Sequence, residues 1–141
     1  MEKIKIKITT IQIVDEAGNE DKIELISEAT LEIKDDYFIV NYDESNITES
    51  TLNKTRLKIY KNKMLMLMSK IGNFSSKMEF EEGKIFSNIY QTPYGSFNLE
   101  HNTLIYTSSL DEKGKGNVYV EYKVSFGNGG ENLNKLKIEI I

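Results

Sequence analysis

The sequence VYVEYKVSF, residues 118–126, decides the fold class, because every even position carries a valine, tyrosine or phenylalanine. Successive side chains of a β-strand point to opposite faces of the sheet, so this period of two predicts a strand with one buried and one solvated face. An amphipathic helix would instead repeat its apolar residues at intervals of three and four positions.

The same alternation extends to both ends of the chain. Isoleucines alternate with lysines from Lys3 to Ile8, odd positions are mostly apolar from Ile23 to Ile33, and even positions are apolar from Leu136 to Ile140. Near the N-terminus the apolar parity changes, because Ile11 and Ile13 follow Ile8. An extra residue in a strand shifts parity in this way, so the pattern predicts a β-bulge or a sharp bend near Thr9 and Thr10.

Turn signals divide the chain into about 8–10 strands of ordinary length. Residues 43–53 and 69–76 are expected to be loops, and a turn or bend is expected at Asn102, between strands 96–101 and 103–107. The sequence therefore predicts one all-β domain, residues 1–141, folded as an antiparallel up-and-down β-barrel. Closure of a meander removes its exposed edges, and a β-sandwich is the alternative.

Composition excludes several classes of function. The 141 residues include no cysteine, one histidine and one arginine, and the formal net charge is −4. Disulfides, thiolate catalysis and cysteine-ligated metals are excluded, and an acidic chain does not favour nucleic-acid binding. No apolar run approaches the ~20 residues of a membrane-spanning helix. We therefore expect a cytoplasmic protein with no cofactor, no metal, no nucleic-acid partner and no membrane partner.

Several motifs spread along the chain resemble the DUF1934 (YwiB-like) family of small bacterial proteins. They are the isoleucine-rich run ending in Thr9-Thr10, Tyr42-Asp43-Glu44, Thr55-x-Leu57-x-Ile59, Met78–Gly83, and Thr92-Pro93-Tyr94-Gly95-x-Phe97 followed by Thr103. The resemblance implies a calycin-like (lipocalin-like) β-barrel and implies no activity. Lys70-Ile71-Gly72 stands where the family pattern often has an arginine two residues before a glycine. Any anion-binding role at that position would be weaker here, because lysine lacks the bidentate guanidinium.

The best candidate binding site is a polar cluster of Tyr42, Glu44, Arg56, Tyr90 and Tyr94. Arg56 has two alternatives. If Leu57 faces the core, Arg56 faces solvent; if Arg56 points into the barrel, it needs an ion pair with Glu44, because a buried unpaired charge is too costly. A structural role for such a pair, which holds the strands in register, is favoured over a ligand-binding role, because structural ion pairs often imitate functional sites.

Three hypotheses for the function follow. The first is a binding module that holds a small apolar or amphipathic ligand inside the barrel, since eight Tyr and six Phe residues are available to line a cavity. The second is a structural or interaction protein, such as a homodimer, because Leu65 and Leu67 make one strand apolar on both faces. The third is an enzyme that uses Glu44, His101 and tyrosines for acid–base chemistry, and no catalytic residue is assigned.

Overall fold

The structure, a computed structural model, describes residues 2–13, 20–43, 54–72, 76–126 and 131–141. These residues form ten β-strands, which are β1 (Glu2–Ile13), β2 (Glu20–Ile33), β3 (Tyr37–Asp43), β4 (Lys54–Tyr60), β5 (Leu65–Ile71), β6 (Ser76–Glu81), β7 (Ile85–Thr92), β8 (Gly95–Leu110), β9 (Gly116–Phe126) and β10 (Glu131–Ile140). The all-β prediction is confirmed.

The strands form one sheet in the order β6-β5-β4-β3-β2-β1-β10-β9-β8-β7, and every paired neighbour is antiparallel. All neighbours are consecutive in the chain except β1 and β10, the first and last strands, which pair with each other. The sheet therefore curls into an up-and-down barrel that is nearly closed, with β6 and β7 at the two ends of the strand order. The predicted barrel is confirmed, and the sandwich alternative is not adopted.

The bulge predicted near Thr9 and Thr10 is wrong. Both ladders of β1 keep an unbroken register through this region, from Ile8 to Ile13. Thr10 and Gln12 therefore point inward, on the same face as Ile8. The change of apolar parity arises because polar residues take over this inward face after Ile8. The register shift lies instead in β8, between Thr103 and Ile105, so one long strand replaces the two strands predicted on either side of Asn102.

Inward-facing apolar side chains fill the middle of the barrel. Ile6, Val40, Leu57, Met66 and Phe80 are fully buried, and they belong to one core cluster with residues of β1–β6 and β8–β10. The stretch from Met64 to Met68 alternates between the two faces of the sheet. Met66 and Met68 face the core, whereas Leu65 and Leu67 are half-buried on the outer face. Burial of this core is the main force that stabilises the barrel.

Side-chain and turn contacts close the seam between β6 and the β7–β8 hairpin. The Gly83 amide donates to the Thr103 carbonyl oxygen at 2.9 Å, and the Thr103 amide donates to the Lys84 carbonyl oxygen at 3.1 Å. The Tyr106 amide donates to Oε1 of Glu82 at 3.2 Å. In the described residues β6 and β7 form no ladder of backbone hydrogen bonds. The three hydrogen bonds above therefore hold the seam together in place of such a ladder.

Some sequence predictions lie outside the described residues. They are most of the turn at 15–20, the loop at 44–53 with Glu44, and the turn at 127–130. In the part of the chain that is described, no helix has the length and apolar character needed to cross a membrane.

Candidate functional site

Polar side chains line the inside of one end of the barrel and surround a cavity of about 250 Å³, which we call the mouth cavity. Its described lining consists of Gln12, Lys70, Ser76, Met78, Asn88, Leu99, His101, Tyr122, Val124, Asn132 and Asn134. These residues come from seven strands, namely β1 and β5–β10, and strand pairing together with closure of the seam brings them together.

Strand register explains why these side chains converge. Gln12 of β1 pairs with Asn134 of β10, and Asn134 pairs with Tyr122 of β9. All three have the parity of buried residues such as Ile8 and Ile138, so they extend the inward face toward the barrel end. The inward face is thus apolar in the middle of the barrel and polar at this mouth.

His101 anchors the mouth cavity to the seam. Its imidazole is only 2% exposed, and its Nε2 lies 2.9 Å from the main-chain carbonyl oxygen of Glu79. A carbonyl oxygen only accepts, so Nε2 carries the proton and donates. Burial lowers the pKa of His101 more than the carbonyl hydrogen bond and the nearby Glu79 charge raise it. His101 is therefore a neutral imidazole at pH 7, and its geometry assigns it a structural role.

Aromatic rings surround His101, and one of them, the ring of Tyr122, lines the cavity. The ring centroids of Phe80 and Phe86 lie 5.5 Å and 5.3 Å from that of the imidazole, and the Tyr122 ring lies 5.0 Å from Phe80. Burial raises the pKa of Tyr122 to about 12, so its phenol keeps its proton at neutral pH. Tyr122 therefore presents a hydroxyl and an aromatic ring beside the cavity, and it carries no charge.

Lys70 brings a positive charge to the mouth. The sequence predicted a loop at 69–76, but β5 continues through Ile71, and Lys70 pairs with Thr55 on one side and with Ser76 on the other. Thr55 is buried and pairs in turn with buried Tyr42, so this row of residues faces inward. The strand register thus places Lys70 on the inner wall, where it lines the cavity.

A larger groove of about 720 Å³ adjoins the mouth cavity, and Lys70 and Ser76 line both. Its described lining contains five basic and two acidic residues, namely Lys3, Lys54, Arg56, Lys70 and Lys77 against Glu28 and Asp43. The described part of the groove lining is therefore basic, although the chain as a whole has a formal net charge of −4.

The structure separates the residues of the predicted cluster. Tyr42 is buried and faces inward, whereas Arg56 pairs with Asn41 on the outer face and donates from Nε to Oδ1 of Asn41 at 3.0 Å. Since Leu57 faces the core, the first alternative for Arg56 holds, and an ion pair inside the barrel is excluded. Tyr42 and Arg56 border the same groove from opposite faces of the sheet.

Of the remaining predicted residues, the structure describes the side chain of Tyr94 alone. Tyr94 lies in the β7–β8 turn and is 90% exposed, so it lies on the surface. Glu44 and the side chain of Tyr90 lie outside the described residues. Sequence reasoning missed the lining amides, although the parity of Gln12, Asn132 and Asn134 carried a signal: each continues a run of inward apolar residues.

Three comparisons with known proteins bear on this chain. A family model described as "Domain of unknown function (DUF1934)" matches residues 6–140. The crystal structure of the ywiB protein from Bacillus subtilis is similar, with a TM-score of 0.72 and 18% sequence identity over 97% of this chain and 90% of that chain. At that identity the likeness concerns the fold alone. The comparison with curated proteins gives no significant match.

Proposed function

Because this chain belongs to the DUF1934 family, a domain of unknown function, we propose its function from its own geometry: it binds a small ligand in the mouth cavity of its barrel. The observation that carries this proposal is the convergence of four amide side chains, those of Gln12, Asn88, Asn132 and Asn134, on one cavity. A site with a few convergent polar groups beside apolar ones is typical of small-molecule binding.

The lining favours an amphipathic ligand over a purely apolar one. Met78, Leu99 and Val124 give the cavity apolar surface, and the amides offer both hydrogen-bond donors and acceptors. Stability alone does not require these amides, because apolar side chains of similar size would cost little there. The apolar core fills the middle of the barrel, so the ligand binds at the mouth rather than in a deep apolar cavity.

A screen by ¹H–¹⁵N NMR tests this function. The probes are neutral, anionic and cationic fragments small enough for a cavity that equals the liquid volume of about eight water molecules. We expect shift changes at cavity residues with at least one fragment. Ser76→Leu, which fills the cavity, abolishes them, whereas Ser87→Leu on the exposed outer face of β7 leaves them unchanged. Fragments that shift only outer-face residues, or no binding at all, would contradict the proposal.

A second candidate function is association with another copy of this chain through β7. Among the described strands β7 has β8 as its one paired neighbour, residues 85–92 carry no charge, and Ile85 and Ile89 are 62% and 56% exposed. An uncharged edge strand pairs antiparallel with its own copy without like-charge repulsion. The sequence suggested β5 for this contact, but β5 is less suitable. Its half-buried Leu67 is paired with a charged residue on each side, Lys58 of β4 and Glu79 of β6.

Sedimentation equilibrium tests this second candidate. We expect a dimer that Ile89→Lys converts to a monomer and that Leu65→Glu leaves intact. A wild-type monomer would contradict any dimer, and a dimer lost only with Leu65→Glu would move the interface to β5.

The cytoplasmic location and the calycin-like classification stay predictions.

A further inference from the structure

We propose that the ligand of the mouth cavity is a hydrogen-bond donor, a molecule of about one ring whose N–H or O–H group donates to Nδ1 of His101. This inference rests on the proposed function and names the group that the ligand must carry. Three features of His101 support it, namely the tautomer of its imidazole, the unpaired state of Nδ1 and the packing that holds the ring.

The hydrogen bond at the seam determines which nitrogen of His101 is the acceptor. Nε2 lies 2.9 Å from the main-chain carbonyl oxygen of Glu79, and a carbonyl oxygen only accepts, so Nε2 carries the proton. Burial lowers the pKa of His101, so the imidazole is neutral at neutral pH. In a neutral imidazole the second nitrogen carries a lone pair. Nδ1 is therefore an acceptor while the seam is closed.

Nδ1 has no hydrogen-bond donor among the described residues, because the bond to Glu79 is the one hydrogen bond that His101 makes there. In the same part of the chain, the fully enclosed side-chain polar atoms without a partner are Oγ1 of Thr103 and the hydroxyl oxygen of Tyr106. Nδ1 is not one of these atoms, so it keeps some accessible surface although His101 is only 2% exposed. Since His101 lines the mouth cavity, this surface opens into the cavity.

Three aromatic rings hold the imidazole in place. The ring centroids of Phe80 and Phe86 lie 5.5 Å and 5.3 Å from that of the imidazole, and the centroid of Tyr122 lies 6.3 Å away. Nδ1 is thus a preorganised acceptor, and little ordering entropy is lost when a ligand binds it. The lining amides select less strongly, because each amide offers both donors and an acceptor. His101 is therefore the residue that makes the cavity selective for a donor.

The rest of the lining limits the size and polarity of the ligand. The cavity volume of about 250 Å³ admits a molecule of one ring, and Met78, Leu99 and Val124 provide apolar contact for it. A ligand without a donor would displace water from Nδ1 and leave this acceptor unpaired. A site built to hydrogen-bond a donor group rejects the analogue that lacks the group. Two probes that differ only in the donor therefore test the inference.

The experiment is an NMR titration of the full chain at pH 8 with benzamide and acetophenone. Both probes have a phenyl ring and a carbonyl group, and benzamide has an NH₂ group where acetophenone has a methyl group. Backbone ¹H–¹⁵N spectra give the site and the affinity, and long-range ¹H–¹⁵N spectra report the two imidazole nitrogens. His101 is the one histidine of the chain, so its ring signals are unambiguous.

The variants are His101→Leu, which removes the acceptor, and the control Thr103→Val. Thr103 is buried two residues from His101 on the same strand, and its side chain is not part of the described cavity lining. We expect Thr103→Val to retain the preference for benzamide and His101→Leu to remove it. If His101→Leu fails to fold, the Nδ1 resonance of the wild type decides the question without a variant.

We expect benzamide to bind in the cavity about fivefold to tenfold more tightly than acetophenone, the net effect of one hydrogen bond. Benzamide moves the Nδ1 resonance upfield, as a hydrogen bond to an unprotonated nitrogen does, and acetophenone does not. Equal affinities, or benzamide bound in the cavity with an unchanged Nδ1 resonance, overturn the inference while the proposed function stands. Binding of neither probe contradicts both.

Discussion

His101 and Glu79 lie 22 residues apart in the sequence, and the Nε2–H of His101 donates to the main-chain carbonyl oxygen of Glu79 at 2.9 Å. This hydrogen bond joins β8 to β6 across the seam where the described strands form no ladder between β6 and β7. The acceptor is a backbone atom, so the identity of the Glu79 side chain does not matter to the bond. The one histidine of the chain is thus a closing residue of the barrel.

Removal of the imidazole should destabilise the barrel. His101→Ala loses the hydrogen bond and leaves a cavity among Phe80, Phe86 and Tyr122. We expect the free energy of unfolding, measured by urea denaturation, to fall by about 2–4 kcal/mol. The control Glu79→Ala keeps the carbonyl acceptor and should change it by less than about 0.5 kcal/mol. A neutral His101→Ala would show that the seam does not depend on this bond.

Stability should decrease at mildly acidic pH because of the same residue. Burial lowers the pKa of His101 in the folded state below its ordinary value of 6.5, so the unfolded chain binds the proton more readily. This contribution is fully present above pH 6.5 and is lost as the pH falls through the folded-state pKa. Urea denaturation of the wild type and His101→Gln from pH 8 to pH 5 isolates it. Parallel pH profiles for the two proteins would contradict the lowered pKa.

Thr103 offers a stabilising substitution. Its side chain is fully buried and its Oγ1 has no hydrogen-bond partner among the described residues. Thr103→Val removes the unpaired hydroxyl at nearly constant shape, so thermal or urea unfolding should show a gain of about 1 kcal/mol. The control Thr107→Val, exposed on the same strand, should be neutral within about 0.5 kcal/mol. A clear loss of stability in Thr103→Val would mean that the hydroxyl is satisfied in solution.

Gly116 is required where β9 begins. Its φ is +140°, and a Cβ at this position would overlap the carbonyl oxygen of Ser109. Gly83, with φ +81°, has open space around the same position and serves as the control. In both alanine variants backbone strain should lower the free energy of unfolding by about 1–2 kcal/mol. In Gly116→Ala the clash should lower it by at least ~1 kcal/mol more. Equal losses in urea denaturation would contradict the steric argument.

The strands were predictable from the sequence, but the site was not. A strand is identified by a local pattern, whereas the site depends on pairing between strands that are far apart in the sequence. Alternation such as that of 118–126 is local, and it identifies a strand without knowledge of its partners. The face of a residue depends on the register across the whole sheet, and this register puts Arg56 on the face opposite Tyr42. The predicted cluster was chosen by residue type, so it included Tyr94, which lies on the surface.

One misread signal would have located the mouth cavity. The parity change after Ile8 predicts a β-bulge or a sharp bend, but the unbroken register excludes the bulge, and the change marks the point where Thr10 and Gln12 replace isoleucine on the inward face. Asn134 makes the same change in β10, on the parity of Leu136 and Ile138. A polar residue in phase with a buried apolar run therefore indicates a barrel end at least as well as it indicates a bulge.

The most direct test of ligand binding at the mouth is a crystal structure of the chain grown with a fragment that the NMR screen identifies. We expect the fragment in the mouth cavity, with a polar atom about 3 Å from a side-chain amide of Gln12, Asn132 or Asn134 and its apolar part against Tyr122 and Val124. An empty mouth cavity, or a fragment bound only to the outer face, would contradict the proposed site.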